Sequence, residues 1–267
     1  MSVNSAMSLS NKVTLPALAG QRWISPLVLI LLWEAGSRAG LIPSHILAAP
    51  SAVISDGWDM IVSGELPANM LVSLGRAMAG LALGVGLGSA LAIAAGLTRA
   101  GESALDPPIQ MLRTLPSLAL TPLFIVWFGI GETPKVALIT LGTLFPIYLN
   151  LFNGIRGVDP KLVEAARSFG LRGWDLVVHV ILPGALPSFL LGLRFALAGS
   201  WLILVVAEQI NASAGLGYLI NNARDFSRTD TIVVCLIVYA LLGLSADAIV
   251  RALERRALAW RPSFIKS

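Results

Sequence analysis

Long apolar runs constrain this chain more than any motif in it. A bilayer core about 30 Å thick is crossed by about twenty mostly apolar residues in a helix, since a helix satisfies its own backbone polar groups where water is absent. Six runs read as spans: 25–42, 72–97, 117–131, 134–153, 185–207 and 231–250. The first holds Glu34 and Arg38, four apart in the order that lets them pair on one helical face. The third is short and broken by Pro122, the fourth carries Pro146, and Pro187 lies at the start of the fifth. Of 267 residues 56% are hydrophobic and 13% are charged, about half the charge of a soluble protein. The sequence therefore predicts an all-α, polytopic membrane protein with six transmembrane helices.

Charge at the span ends orients it, because cytoplasmic loops collect Lys and Arg. With the amino terminus inside, the inner side receives Lys12, Arg22, Arg99, Arg113, Arg156, Lys161, Arg167, Arg172, Arg251, Arg255, Arg256, Arg261 and Lys266. The outer side receives only Lys135, Arg224 and Arg228, and the outer loop 43–71 has Asp56, Asp59 and Glu65 without any Lys or Arg. Orientation thus accounts for the net charge of +4, and nucleic acid is not expected as a partner. Residues 1–22 read as a cytoplasmic tail: Ala17-Leu18-Ala19 imitates a signal cleavage site, but the apolar run follows it instead of preceding it. Residues 23–64 are then the first span and outer loop, 65–252 one polytopic domain, and 253–267 a cytoplasmic tail. Cys235 stands alone and reads as a small buried hydrophobe.

Chemical motifs are few. No Gly-x-x-x-x-Gly-Lys-Ser/Thr phosphate loop occurs, so ATP hydrolysis is not expected of this chain. The only histidines, His45 and His179, lack neighbours at metal spacing, and no Gly-x-Ser-x-Gly nucleophile appears; no catalytic residue, metal or bound cofactor is expected. Ionisable groups inside spans are costly and mark cavities or partners. Arg194 lies deep in the fifth span, with Trp201 seven residues on and Glu208 at the outer end on nearly the same side. These three are the candidate lining of a translocation path, Arg194 favouring an anionic solute; the competing reading makes Arg194 a structural ion pair or carbonyl clamp. Arg76 and Asp247 sit near the ends of the second and sixth spans. Gly80, Gly84, Gly88, Ala92 and Gly96 form a small-residue ridge, which predicts a close helix contact, favoured inside the subunit over a dimer seam.

Between the fourth and fifth spans lies a polar island, with Asp159-Pro160 as a helix start and Gly170 as its stop. A second short helix is read from Trp174 towards Pro183, and a stripe of Leu162, Ala166 and Phe169 would dock the first against something. Glu164, Ala165, Ala166, Gly170, Leu182 and Pro183 match the spacing of the Glu-Ala-Ala loop of ABC importer permeases, which this segment resembles; Val180 stands where the family has Ile. The segments IQMLRTLPSLALTPLFIVWFGIGE, LGTLFPIYLN, VILPGALPS, LRFALAGSW and GLGYLINNAR look like permeases of the sulfonate, taurine and nitrate importers, nearest to the aliphatic-sulfonate group. That resemblance implies a type I importer permease fold and a coupling loop at 159–183 that docks on a separate ATPase. It also implies a second copy of the subunit, two ATPase subunits that bind the ATP, a periplasmic or extracellular solute-binding protein, and residence among the lipids of a bacterial plasma membrane. Taurine, nitrate or another small solute is the alternative cargo. An ion-driven transporter fits less well, since related halves with mid-membrane acids are not found.

Overall fold

The computed structural model describes residues 21–210 and 212–258, and these are almost entirely helical. In chain order the helices are α1 (Gln21–Arg38), α2 (Pro50–Val62), α3 (Glu65–Leu97), α4 (Arg99–Leu112), a 3-10 turn at Ser117–Leu120, α5 (Thr121–Phe128), α6 (Glu132–Arg156), α7 (Pro160–Ser168), α8 (Gly173–Leu176), a π turn at Val177–Ile181, α9 (Leu182–Gln209), α10 (Leu216–Asp225) and α11 (Thr229–Ala257). Most of the two expected tails, 1–20 and 259–267, lies outside the described residues.

Helices α3, α6 and α9 form the centre, with α6 in the middle. Its ridge of Ile139, Thr143, Ile147 and Ile155 runs against the small-residue ridge of α3. A Cβ on Gly80 would stand 2.5 Å from that of Ile139, one on Gly88 2.7 Å from the Leu144 carbonyl, and one on Gly96 2.9 Å from Ile155. The predicted close contact is therefore made within the subunit. Hydrogen at these positions lets the backbones approach, which in lipid supplies dispersion contact that a larger side chain would forbid. On its other side α6 meets α9 by the same device, Gly154 against Ser188 and Gly192 against Asn150 and the Pro146 carbonyl. Pro146 and Pro187 are both carried inside continuous helices.

These pairings fix direction. Gly80 meets Ile139 and Gly96 meets Ile155, so α3 and α6 run parallel, whereas Gly154 with Ser188 and Gly192 with Pro146 make α9 antiparallel to both. Two parallel neighbours require the chain between them to return to the starting end. The return is α4 with Ser117–Phe128, two pieces bent by 85°.

The all-helical expectation holds, and the expected spans differ in detail. Among the described residues four helices are long and apolar enough to cross a membrane (Glu65–Leu97, Glu132–Arg156, the run Gly173–Gln209 and Thr229–Ala257), and the bent pair, taken as one span, makes a fifth. Helix α1 occupies the first expected span, but its 18 residues include Glu34 and Arg38, which pair at 2.6 Å. The expected third span at 117–131 is a 3-10 turn and an eight-residue helix. The preceding stretch, read as a loop, is α4, whose Thr98 hydroxyl accepts from Gly101 N at 2.9 Å as an N-cap. Pro116 disfavours helix at Leu115 and separates the two pieces. Helix α2 lies within the stretch 43–71 read as outer loop, and α11 continues to Ala257.

Candidate coupling loop and buried ion-pair network

At the end where α6 finishes, α7 begins as its sequence predicts. Asp159 accepts from the Lys161 amide at 2.9 Å, and Pro160 occupies the first turn. Its stop is Gly170, whose φ of +90° is one that only glycine adopts freely; Gly170 N donates to the Arg167 carbonyl at 3.0 Å and Leu171 N to that of Ala166 at 3.1 Å. Of the stripe Leu162, Ala166 and Phe169, Ala166 is buried against this chain, while Leu162 is exposed and Phe169 is 88% exposed, joined by exposed Trp174. One expectation needs correction: the helix after Gly173 does not end at Pro183 but passes through the π turn into α9 as one run, Gly173–Gln209. Proline lacks an N–H and its ring presses on the carbonyl four residues back, a conflict that a widened turn relieves. Pro183 follows that turn after Leu182, and the residue four before it, His179, lies within the turn. Leu182 and Pro183 thus start a span, while Glu164, Ala165 and Gly170 stand exposed on α7 and its stop. His179, within the π turn, has Nδ1 2.9 Å from the Asp175 carbonyl.

The opposite end holds a buried polar network that the sequence did not assemble. Glu208, fully buried on α9, accepts from Ser73 Oγ at 2.7 Å, Arg76 Nη1 at 2.7 Å, Gly217 N at 2.9 Å and the Tyr239 hydroxyl at 2.9 Å. Arg76 also donates through Nη1 to the Ala214 carbonyl at 2.7 Å and through Nε and Nη2 to Glu132, the second at 2.7 Å. Lys135 completes the set, 3.3 Å from Glu132. Ser73 and Asn69 receive the amides of Leu216 and Gly215 at 2.8 and 2.7 Å. Two cations and two carboxylates therefore balance, and α3, α6, α9 and α11 are tied to the segment that starts α10. Arg76, Lys135 and Glu208 are buried while Glu132 is exposed at the edge of the set; charges removed from water persist only when paired and hydrogen-bonded. Their signal in the sequence was depth: Arg76 and Glu208 were both read at outer span ends, with opposite sign.

Arg194, Trp201 and Glu208, read as one path lining, occupy three different settings. Arg194 Nε pairs with Asp247 at 3.0 Å, both part-exposed, and Arg251 pairs with the other Asp247 oxygen. This is the ion pair that the competing reading foresaw. Trp201 is buried in the apolar core, its Nε1 without a hydrogen-bond partner among the described residues. Glu208 is sealed in the network. No group of three or more His, Cys, Asp or Glu among the described residues could hold a metal.

Comparison with known proteins gives this geometry a family. Residues 82–258 match the model of the "Binding-protein-dependent transport system inner membrane component". The chain is 50% identical over 242 residues to the aliphatic sulfonates transport permease protein SsuC of Escherichia coli, covering 91% of this chain and 92% of that one. It is 46% identical over 239 residues to SsuC of Bacillus subtilis, covering 90% and 87%, and 35% identical over 238 residues to the taurine transport system permease TauC of Escherichia coli, covering 87% and 86%. Among solved structures, an amino acid ABC transporter matches with a TM-score of 0.61 at 19% identity, covering 74% of this chain and 97% of that one. An inward-facing MetNI methionine ABC transporter matches with 0.51 at 19%, covering 71% and 94%. The chain belongs to the inner-membrane permease components of binding-protein-dependent ABC importers and has their type I fold.

Proposed function

We propose that this permease carries aliphatic sulfonates, a reading supported above all by the 50% and 46% identities to two permeases named for that cargo, against 35% for one named for taurine. Two copies pair to form the path, two ATPase subunits dock beneath, and a solute-binding protein delivers cargo from outside. The α7 end is cytoplasmic: Arg99, Arg156, Arg167, Arg251, Arg255 and Arg256 gather at that end of the spans, as the charge rule requires. There Glu164, Ala165 and Gly170 form the docking surface, with Ala166 packed beneath it and exposed Leu162, Phe169 and Trp174 as apolar anchors for the ATPase. Because α8 runs without a break into α9, closure of the ATPase pair moves a lever whose far end is Glu208. Nucleotide supplies the bias between inward-open and outward-open states of one bistable element.

Arg194 is the proposed anion-favouring residue of the path, held by Asp247 until solute or conformational change competes for it. The test is uptake by the reconstituted complex in vesicles, with binding protein and ATP inside. Alkanesulfonate transport above that of taurine and nitrate supports the reading; preference for either of the others overturns the cargo while leaving the permease role intact. Arg194→Ala lowering uptake with assembly unchanged supports the role given to that residue.

A further inference from the structure

Helix α2 lies in a segment whose sequence reads as an aqueous outer loop, yet it presents three faces. At about 100° per residue, Val53, Asp56, Gly57 and Met60 share the face turned to the protein. Val53 and Met60 are buried, and Asp56 receives Arg228 Nη2 at 2.5 Å and the Thr231 hydroxyl at 2.9 Å. Ser55 and Asp59 are exposed on a polar face. Between these, within roughly a 100° arc, stand Ile54, Trp58, Ile61 and Val62, all exposed, Ile54 by 73% and Trp58 by 65%.

A soluble surface would not gather four large apolar side chains in one arc beside a polar one. The arc also continues onto a membrane span: Ile54, Trp58 and Ile61 line one groove with Ile237 and Leu241 of α11, the last 60% exposed. Helix α11 is long and apolar enough to cross the bilayer, so its outward stripe faces lipid. We propose that α2 is a membrane-embedded amphipathic helix whose Ile54–Val62 arc sits among the acyl chains of the leaflet at the Thr229 end of α11. Trp58 there has the aromatic anchor's usual place at the membrane boundary, while Asp59 and Ser55 face the headgroups. The Asp56 contacts then clamp this anchor to α11.

The test is site-directed spin labelling of the full chain in its ATPase complex, in vesicles. Single cysteines replace residues in a Cys235→Ala background: Ile54→Cys, Trp58→Cys and Ile61→Cys on the arc, Ser55→Cys and Asp59→Cys on the polar face, and Leu241→Cys as the span control. Labels at 54, 58 and 61 are expected to be reached by oxygen, not by a water-soluble nickel complex, at depths of about 5–10 Å, with the reverse at 55 and 59. If one arc variant fails to assemble, the other two read the same face. Nickel access at 54, 58 and 61 alongside oxygen access at 241 overturns the proposal. So does protection of the arc from both reagents, which would mean that protein, such as a second copy, covers it.

Discussion

Glu208 is held by four donors from three helices, α3, α10 and α11, and the value of each depends on the others. Glu208→Ala leaves Arg76 with Glu132 and the Ala214 carbonyl, so we expect the low end of the cost of breaking a buried pair, about 3 kcal/mol, read as a lower unfolding temperature in detergent. The double variant Arg76→Ala/Glu208→Ala should lose less than the sum of the two singles, because no stranded charge remains; simple additivity would contradict the network. A second asymmetry is expected at the other ion pair. Arg194→Ala leaves Asp247 with Arg251, whereas Asp247→Ala leaves Arg194 with no other ion-pair partner among the described residues. Asp247→Ala should therefore be the more destabilising, and equal effects would argue against this pairing. The sequence marked each of these charges as unusual but paired none of them, since Arg76 and Glu208 are 132 residues apart and nothing local links them.

Helices were legible where their chemistry was uniform. The α3 ridge declared a close contact because glycine and alanine recur every fourth residue, and α6 answers it at the same interval. Gly84→Ala should cost about 1–3 kcal/mol by overpacking, since its Cβ would lie 2.8 Å from the Thr140 carbonyl and closer still to Thr143 Oγ1. Gly86, two residues away, has open space around a built Cβ, so Gly86→Ala should be neutral or stabilising by up to about 1 kcal/mol through helix propensity. Thermal unfolding of the two variants separates a packing ridge from a general intolerance of substitution. The elements that escaped were those whose signal is mixed. Helix α4 carries Arg99, Glu102, Asp106, Pro107 and Pro108, a composition that reads as a loop until Ile109 and the Tyr148 hydroxyl, 3.0 Å from Asp106, dock it against the core. The π turn was hidden because a proline in a helical pattern reads as an end, and only the packing of α9 shows that the helix continues.

At the scale of the molecule, fold class came from the apolar runs, and the shape of the crossing between α3 and α6 did not. Parallel α3 and α6 demand a return between them, which the bent pair supplies; an 85° break divides its apolar residues into pieces too short to register as one run. The continuous run from Gly173 to Gln209 joins the exposed α7 end to the buried network, and on it rests the claim that the Glu164–Gly170 surface drives the path. That claim is tested most directly by the stimulation of ATP hydrolysis by loaded binding protein in reconstituted complexes carrying Glu164→Lys or Gly170→Asp. Gly170→Asp forces a side chain onto a backbone with φ +90°, costing about 1–2 kcal/mol locally, in a place where a built Cβ meets nothing. Both variants should insert and fold yet lose most of the stimulation and the uptake that accompanies it; full stimulation and uptake in both would contradict the assignment of this loop as the coupling element.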